Sequence, residues 1–287
     1  KVKILYRRAK QPAVFNDTGE VNAMMHLPPQ VEKALDMLNR AGYEAYLVGG
    51  AVRDFLMGRE PKDYDLSTSA TPEQIRKVFR NRHCIIIGKR FRLVHLYCGR
   101  EIIEISTFRR CPEQGVQQQS PERSKRRTAA PEKMIFRDNE FGTSYDDAFR
   151  RDFTVNAMAL SADGEITDLY GGQEDLKAKL IRCVGCAETR FDEDALRIMR
   201  ALRFASVLGF EIEPKTKAAI FEFKDLLLNV SSERIFSELV KLIMGKNAAD
   251  VICEYHEVLE VILPEIKGMA GFDQQAPHHI YDVLKHT

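Results

Sequence analysis

Apolar residues recur along the first half of the chain with two different periods, which predicts alternating helices and strands. Val31, Leu35 and Leu38 are spaced as on one face of a helix, which we expect to begin at Pro28 and to end at Gly42. Short apolar runs predict strands over residues 45–48, 64–67, 84–87, 93–98 and 101–108, with helices over residues 51–57 and 71–80.

Helical periodicity dominates the second half of the chain. A helical pattern runs from Asp146 to Ala159, a strand-like pair follows at residues 166–169, and everything past Phe191 is helical. This order predicts an α+β protein, in which a mixed sheet with flanking helices is followed by an all-α region, with the change near residue 182. The expected segments are an extension at 1–27, the sheet domain at 28–182, the helical domain at 183–272 and the start of a truncated C-terminal region at 273–287.

Residues 111–134, inside the first domain, have the composition of a mobile basic loop. Three consecutive glutamines precede a run of basic residues, and the segment holds too few apolar residues to form a packed core. Two interpretations stay open. The segment is either a solvated insertion without a task, or a contact for RNA phosphates through residues such as Arg126 and Arg127.

Composition narrows the class of protein. With 44% hydrophobic and 30% charged residues the chain is typical of a globular protein, and no apolar run reaches the length of a membrane span. The formal net charge is +1, so any nucleic-acid surface has to be local. The six cysteines show no disulfide framework and the basic N-terminus has no apolar signal core. We therefore expect free thiols, a cytoplasmic location and no membrane partner.

Two motifs close together carry the chemistry. The segment GGAVRD at residues 49–54 places a glycine turn between a strand and a helix, and Asp63 and Asp65 follow two residues apart. In a strand, such a spacing presents both carboxylates on one face, where they repel each other unless a cation lies between them. Mg²⁺ is the usual cation where phosphates are bound, and a glycine turn lets backbone N–H groups approach a triphosphate. The glycine turn and the two aspartates together predict a metal-dependent phosphoryl- or nucleotidyl-transfer site.

The two motifs in this order resemble the signature of the class II nucleotidyltransferases, the family of bacterial poly(A) polymerases and tRNA CCA-adding enzymes. The resemblance covers about residues 30–265. It implies a nucleotidyltransferase head followed by a helical neck and body that bind nucleotide and RNA. The candidate residues are Asp63 and Asp65 as catalytic metal ligands, Gly49, Gly50 and Arg53 at the triphosphate, and Glu104 as a third catalytic carboxylate.

A further motif, RRDFTVNA at residues 150–157, closely matches a stretch that lies beside the active site in that family. The resemblance implies that Arg151 lies near the nucleotide, since an arginine fork binds phosphate bidentately. It also makes Asp152 a catalytic or supporting carboxylate that competes with Glu104. Taken alone, the motif is more often a surface ion pair.

The motif at residues 192–203, DEDALRIMRALR, predicts a single helix with acidic residues at its start. Acid there also suits the helix dipole, which needs no binding role. Asp194 and Arg197 are three residues apart and are expected to pair on one face. The family reads the incoming base with a matching pair, so the resemblance implies this role here. Arg200 and Arg203 continue the basic stripe toward the triphosphate or the packed neck.

The expected reaction joins the 3′-hydroxyl of an RNA to the α-phosphorus of a nucleoside triphosphate and releases pyrophosphate by a two-metal mechanism. Residues 86–96 and 136–142 resemble bacterial poly(A) polymerases, which favours addition of AMP from ATP to RNA 3′ ends, of mRNA or tRNA. CCA addition to tRNA is the alternative, and a non-catalytic RNA-binding scaffold is a third. Within these stretches and the basic loop, the candidate RNA contacts are Lys89, Arg90, Arg92, Arg126 and Arg127.

Overall fold

The computed structural model describes residues 14–15, 21–22, 27–88, 92–99, 101–110, 141–272 and 282–286. The chain divides into two compact units, Lys1–Lys177 and Ala178–Thr287. Most of the predicted extension and of the C-terminal region, and the whole basic loop at 111–134, lie outside the described residues. In the extension, β1 (Val14–Phe15) and β2 (Val21–Asn22) form an antiparallel pair.

The first unit contains a mixed sheet, as the sequence predicts, and the described residues contribute seven strands to it. Its strands are β3 (Ala45–Val48), β4 (Tyr64–Thr68), β5 (Cys84–Ile87), β6 (Leu93–Cys98), β7 (Glu101–Thr107), β8 (Ala159–Ser161) and β9 (Ile166–Thr167). They lie in the order β5-β6-β7-β4-β3-β8-β9. The β4–β7 pair is parallel and the other pairs are antiparallel.

Among the described residues, five helices accompany this sheet: α1 (Pro29–Arg40), α2 (Gly50–Leu56), α3 (Pro72–Val78), α4 (Ser144–Phe149) and α5 (Gly172–Ala178). The predicted stripe of α1 is buried, since Val31, Leu35 and Leu38 have no exposed surface. Helix α3 begins with a capping box between Thr71 and Gln74, which satisfies backbone N–H groups that the first turn leaves unpaired. Helices α1 and α3 pack against strands of the sheet.

The two faces of the sheet differ in chemistry because side chains alternate along each strand. One face is apolar and buried, with Leu66, Val94, Leu96, Ile103 and Ile105 at 0–1% exposure. The other face, called the polar face below, carries the intervening residues of β4 to β7. These include Asp65, Ser67, His95, Tyr97, Glu104 and Ser106.

The predicted helix over residues 146–159 is wrong. Helix α4 ends at Phe149, a short 3₁₀-helix covers Thr154–Asn156, and Ala159 begins β8. The Asp152 carboxylate accepts hydrogen bonds from the Phe153 backbone N–H and the Asn156 side chain, at 2.8 and 3.3 Å. Such local bonds compete with the helical ladder and end it.

Where the structure describes it, the second unit is helical apart from one short parallel pair, β10 (Leu180–Ile181) and β11 (Glu211–Ile212). Its helices are α6 (Ala187–Glu193), α7 (Leu196–Leu208), α8 (Pro214–Phe223), α9 (Ser232–Ile243), α10 (Ala248–Glu254), α11 (His256–Leu259) and α12 (Val283–His286), with 3₁₀-helices at Lys224–Asn229 and Pro264–Gly268. Helix α7 packs on α9, and its residues Ile198, Met199 and Leu202 are fully buried. In the parts of the chain that the structure describes, every helix is too short or too polar to cross a bilayer.

Candidate active site

The centre of the candidate site is a row of residues across the polar face. Strand register places Val48, Asp65, Glu104 and His95 opposite one another on the neighbouring strands β3, β4, β7 and β6. The Nε2 atom of His95 lies 3.2 Å from Oε1 of Glu104. The structure therefore brings Glu104 beside Asp65, while Asp63 lies just before β4 begins.

The surroundings of Asp65 disfavour its ionised form, as is expected of a carboxylate that binds a cation. Desolvation, followed by the negative charge of Glu104, raises the pKa of Asp65 from 3.8 to about 6; Arg151 opposes this rise and Asp63 adds to it. The residue still has substantial exposed surface, so the packing that desolvates its carboxylate leaves one side open. Mutual repulsion among these carboxylates is the electrostatic signature expected where a divalent cation binds.

The donor set fits a hard divalent cation in chemistry, since Asp63, Asp65 and Glu104 offer only carboxylate oxygens. Among the described residues, however, no group of three or more His, Cys, Asp or Glu side chains converges closely enough to hold a metal ion. The carboxylates interact through their charges without forming a closed cage. Their assignment as metal ligands accordingly stays a prediction.

At Gly49 the backbone passes close to Asp65, in the row of residues across the polar face. The φ of Gly49, +74°, lies in the left-handed region, which favours glycine. A Cβ atom at Gly49 would lie 3.3 Å from Nη1 of Arg151 and 3.7 Å from Oδ2 of Asp65. The turn therefore leaves room beside Asp65 that a side chain would occupy, as a backbone that approaches a phosphate requires. Gly50 follows as the first residue of α2.

Arg151 is held in place by a buried carboxylate that the sequence analysis missed. Its Nη2 donates to Oδ2 of Asp147 at 2.9 Å and to the hydroxyl of Ser67 at 3.4 Å. The Ser67 hydroxyl in turn donates to Asp147 at 3.2 Å, and the Arg109 backbone N–H donates to the same carboxylate at 3.4 Å. The signal in the sequence was the spacing of four residues between Asp147 and Arg151 on a helical segment.

Arg53 and Asp152 belong to a second, interior network. Arg53 is buried; its Nη1 donates to Oδ1 of Asn156 at 2.8 Å, and its Nε and Nη2 donate to Asp54 at 2.9 and 2.7 Å. Asn156 donates to the buried carboxylate of Asp152. With these hydrogen bonds Arg53 is placed to brace the glycine turn, because its guanidinium lies beneath Gly50. Direct contacts of Arg53 with a triphosphate, and of Asp152 with the reacting groups, stay predictions.

A cleft of about 270 Å³ lies over the polar face. Its lining contains Asp65 and Glu104 together with three arginines, Arg109, Arg150 and Arg151. A cleft that combines carboxylates with guanidinium groups suits a ligand that carries phosphates together with cations. The sequence motif included Arg150 but assigned it no role, and Arg109 was missed because it lies after β7, outside the recognised motifs.

Of the five candidate RNA contacts, only Arg92 lies within the described residues. Lys89, Arg90, Arg126 and Arg127 lie outside the described residues. Arg92 lies just before β6 and donates to the carboxylate of Glu73 on the surface. An exposed ion pair of this kind is weak and exchanges readily for another anion.

In the second unit the predicted single helix over residues 192–203 is wrong, and so is the Asp194–Arg197 pair. Asp194 has an extended backbone between α6 and α7, and its Oδ1 accepts from the Leu196 backbone N–H at 3.2 Å, which starts a new helix. Arg197 donates instead to Glu193 at 2.7 Å, and Asp194 accepts from Arg234 at 2.7 Å.

The remaining basic residues of α7 contact their own unit. Arg203 lies 3.0 Å from Glu238 on α9 and stacks over the Phe204 ring, with 4.0 Å between its guanidinium carbon and the ring centroid. Arg200 lies 5.6 Å from the same centroid. These contacts correspond to the packed neck that the sequence analysis gave as one alternative. Contact of either arginine with a nucleotide stays a prediction.

The mixed sheet with its carboxylate row, glycine turn and anchored arginine defines a nucleotidyltransferase head. Comparison with known families agrees. Residues 45–182 match the model described as "Poly A polymerase head domain", and residues 209–269 match "Probable RNA and SrmB- binding site of polymerase A". The chain belongs to the nucleotidyltransferase family of poly(A) polymerases and CCA-adding enzymes, as its motifs predict.

Individual relatives come from both branches of this family. The chain is 43% identical to poly(A) polymerase I of Escherichia coli O6:H1 over 261 residues, which cover 89% of this chain and 54% of the relative. It is 42% identical to the CCA-adding enzyme of Lactobacillus delbrueckii subsp. bulgaricus over 246 residues, covering 86% and 57%. The solved CCA-adding enzyme of Bacillus stearothermophilus in complex with CTP matches with a TM-score of 0.68 at 35% identity, covering 80% and 53%.

The chain thus spans little more than half the length of the relatives it matches. Nucleotidyltransferases of this family use divalent metal ions. Identities of 43% and 42% do not separate the two branches, so the choice between them depends on experiment.

Proposed function

We propose that the protein transfers AMP from ATP to the 3′ end of RNA. The 3′-hydroxyl oxygen forms a bond to the α-phosphorus of ATP, the bond from that phosphorus to the pyrophosphate oxygen breaks, and the hydroxyl proton is released. The observation that carries the proposal is the juxtaposition of Gly49, Asp65 and Arg151, with Glu104 beside them. This arrangement combines a backbone turn without a side chain at Gly49, the fixed guanidinium of Arg151 and the mutually repelling carboxylates of Asp65 and Glu104.

Each of these parts has a defined task. Arg151, fixed by Asp147, neutralises charge on the triphosphate, and the absence of a side chain at Gly49 lets the phosphates approach. Asp63 and Asp65, with Glu104 beside them, would hold Mg²⁺. When bound, the ion would supply charge neutralisation for the phosphates and would lower the pKa of the attacking hydroxyl. Most of the acceleration then comes from positioning and electrostatics.

Base selection is assigned to the segment that joins α6 and α7. Glu193 accepts a hydrogen bond from Arg197, and its Oε2 lies 3.0 Å from Nη1 of Arg190, so the Arg197 guanidinium is held by a partly buried carboxylate. A guanidinium in a fixed orientation offers a directional set of donors to the edge of a base. Asp194, which pairs with Arg234, supplies an acceptor close by in sequence.

CCA addition to tRNA is the second candidate function. The observation that favours it is the similarity to the CCA-adding enzymes reported above, one of them solved with CTP. Both activities require the same head, because the transferred group and the leaving pyrophosphate are alike. They differ in the choice of base and in where addition stops. We propose the cytoplasm as the location of either reaction, since ATP and RNA 3′ ends occur there together.

One assay separates these functions. The full-length protein is incubated with Mg²⁺, an RNA with a free 3′-hydroxyl and each nucleoside triphosphate in turn. Long adenosine tails on any RNA are expected. Addition of C and then A that stops on completed tRNA would instead establish CCA addition. Binding without any incorporation would leave an RNA-binding scaffold.

The matched control for this assay is a pair of aspartate variants. Asp65→Asn is expected to abolish incorporation. Asp163→Asn changes an exposed aspartate in the turn between β8 and β9 and is expected to retain it. Normal incorporation by Asp65→Asn would refute the assignment of the carboxylates.

A further inference from the structure

The polar face continues beyond the carboxylates toward the sheet edge at β5. Tyr97 donates its backbone N–H to the carbonyl of His83 at 2.9 Å, which extends the β5–β6 ladder by one pair. The two rings stack, with centroids 4.4 Å apart and planes at 22°. The His95 ring, which contacts Glu104, lies 6.5 Å from Tyr97. A continuous run of rings therefore leads from the carboxylates to the edge strand.

Exposed apolar residues surround this stack. Register places Ile85 beside His95 and Ile102 beside Tyr97 on the same face. Their exposed fractions are 40% for Ile85, 44% for Ile102 and 39% for Ile87. We call His83, Tyr97, Ile85, Ile87 and Ile102 the edge platform. Flat rings framed by apolar side chains are the surfaces on which proteins stack the bases of single-stranded nucleic acid.

The position of the edge platform relative to the phosphate-binding groups indicates what lies on it. The sheet order places β3, which leads into Gly49, on one side of Asp65, and β7, β6 and β5 on the other side. Gly49 therefore approaches Asp65 from the β3 side, with Nη1 of Arg151 next to it. In a displacement at phosphorus the attacking and leaving oxygens are roughly in line. The strand that supplies the attacking hydroxyl then approaches from the β6 side, where the edge platform lies.

We propose that the edge platform binds the last nucleotides of the RNA 3′ end, with a base stacked on the His83–Tyr97 pair. The proposal rests on the proposed function for the direction of attack. Ile85 and Ile102 then pack against the faces of neighbouring bases or riboses. Because every base has a flat face, the edge platform holds the growing end without regard to its sequence, and phosphate contacts elsewhere supply the salt-dependent part of binding.

Three variants of the full-length protein test this assignment. Tyr97→Leu removes the ring and keeps an apolar side chain, Tyr97→Phe keeps the ring, and Tyr43→Leu makes the same change at a half-buried tyrosine outside this face. The probe is a short oligoadenylate with a 5′ fluorophore and a 3′-deoxy end, which binds but cannot be extended. Fluorescence anisotropy gives its dissociation constant, and circular dichroism confirms the fold of each variant.

Tyr97→Leu is expected to weaken binding about tenfold, the effect of losing one stacked base. Tyr97→Phe and Tyr43→Leu are expected to bind like the wild type. The salt dependence is expected to stay the same in all variants, because no phosphate contact is changed. In the extension assay Tyr97→Leu is expected to raise KM for RNA and to leave KM for ATP unchanged.

Equal binding by Tyr97→Leu and the wild type would overturn the proposal, as would equal loss in Tyr97→Phe and Tyr97→Leu. If the wild type forms dimers that Tyr97→Leu lacks while RNA affinity is unchanged, the surface serves self-association and the proposal is wrong. The proposed function fails separately, because anisotropy does not depend on transfer. If the protein never extends RNA but the Tyr97→Leu variant loses affinity for it, the proposed role of the edge platform is supported and the proposed enzymatic function is wrong.

Discussion

Desolvation of Asp65, together with the negative charge of Glu104, predicts that removing the charge of Asp65 stabilises the protein in the absence of metal. The rise in the pKa of Asp65 from 3.8 to about 6 corresponds to about 3 kcal/mol of unfavourable interaction in the ionised native state. Because Asp65 keeps one side open to solvent, screening reduces this to about 1 kcal/mol. Asp65→Asn is therefore expected to raise Tm by about 3 °C with a chelator present at about pH 8.

The pH dependence follows from the sign of the shift. The native carboxyl titrates above the unfolded one, so the native state binds more protons between about pH 4 and pH 6, and stability falls as pH rises through that window. Above it the full cost of the desolvated, repelled charge is present, and below about pH 4 the group is protonated in both states. The advantage of Asp65→Asn is expected to disappear there.

Thermal unfolding followed by circular dichroism measures the effect, with Asp163→Asn as the matched control. Adding Mg²⁺ is expected to stabilise the wild type and to leave Asp65→Asn unchanged, because the variant has lost a ligand. A Tm for Asp65→Asn at or below the wild-type value at about pH 8, or an advantage that persists at about pH 4, would refute the electrostatic argument.

Three further predictions concern other parts of the account. Asp147→Asn leaves Arg151 without its charged partner, so kcat is expected to fall about tenfold and the free energy of unfolding by about 1–3 kcal/mol; rapid-quench kinetics and urea titration measure these, and unchanged kcat counts against the anchor. Gly49→Ala is strained at φ +74° and crowds Arg151, so kcat/KM for ATP is expected to fall at least about tenfold; steady-state kinetics with wild-type values would contradict the close approach. Arg197→Ala is expected to reduce the ATP preference over CTP about tenfold; competition between the two nucleotides measures it, and unchanged preference removes base selection from this segment.

The arrangement of the head was accessible from sequence because its elements are short and strongly patterned. The stripe of α1 and the strands from β3 to β7 follow from local spacing. The structure of the stretch after α4 could not be predicted from the sequence. Its residues follow a helical period, but their side chains form hydrogen bonds to nearby residues that interrupt a helix. Asp152 and Asn156 end the helix by such bonds, and Asp194 does the same between α6 and α7.

The candidate site shows the same limit. Motif spacing identified Gly49 and Asp65, and the resemblance to the nucleotidyltransferases added Arg151. The fold brings these three residues together although they are distant in sequence. The sequence did not reveal Asp147, because an aspartate beside other polar residues looks like a solvated one until the fold buries it. The edge platform was missed for a related reason. Its members come from three strands and share a face only through register.

The central claim is that the carboxylates of the polar face hold a divalent cation against the phosphates of ATP. The most direct test is a crystal structure of the full-length protein with Mg²⁺ and an ATP analogue that cannot be transferred. The account predicts metal density bridging Asp63 and Asp65 to the phosphates, with the triphosphate beside Gly49 and Arg151. A triphosphate bound elsewhere, or bound here without metal at either aspartate, would contradict it.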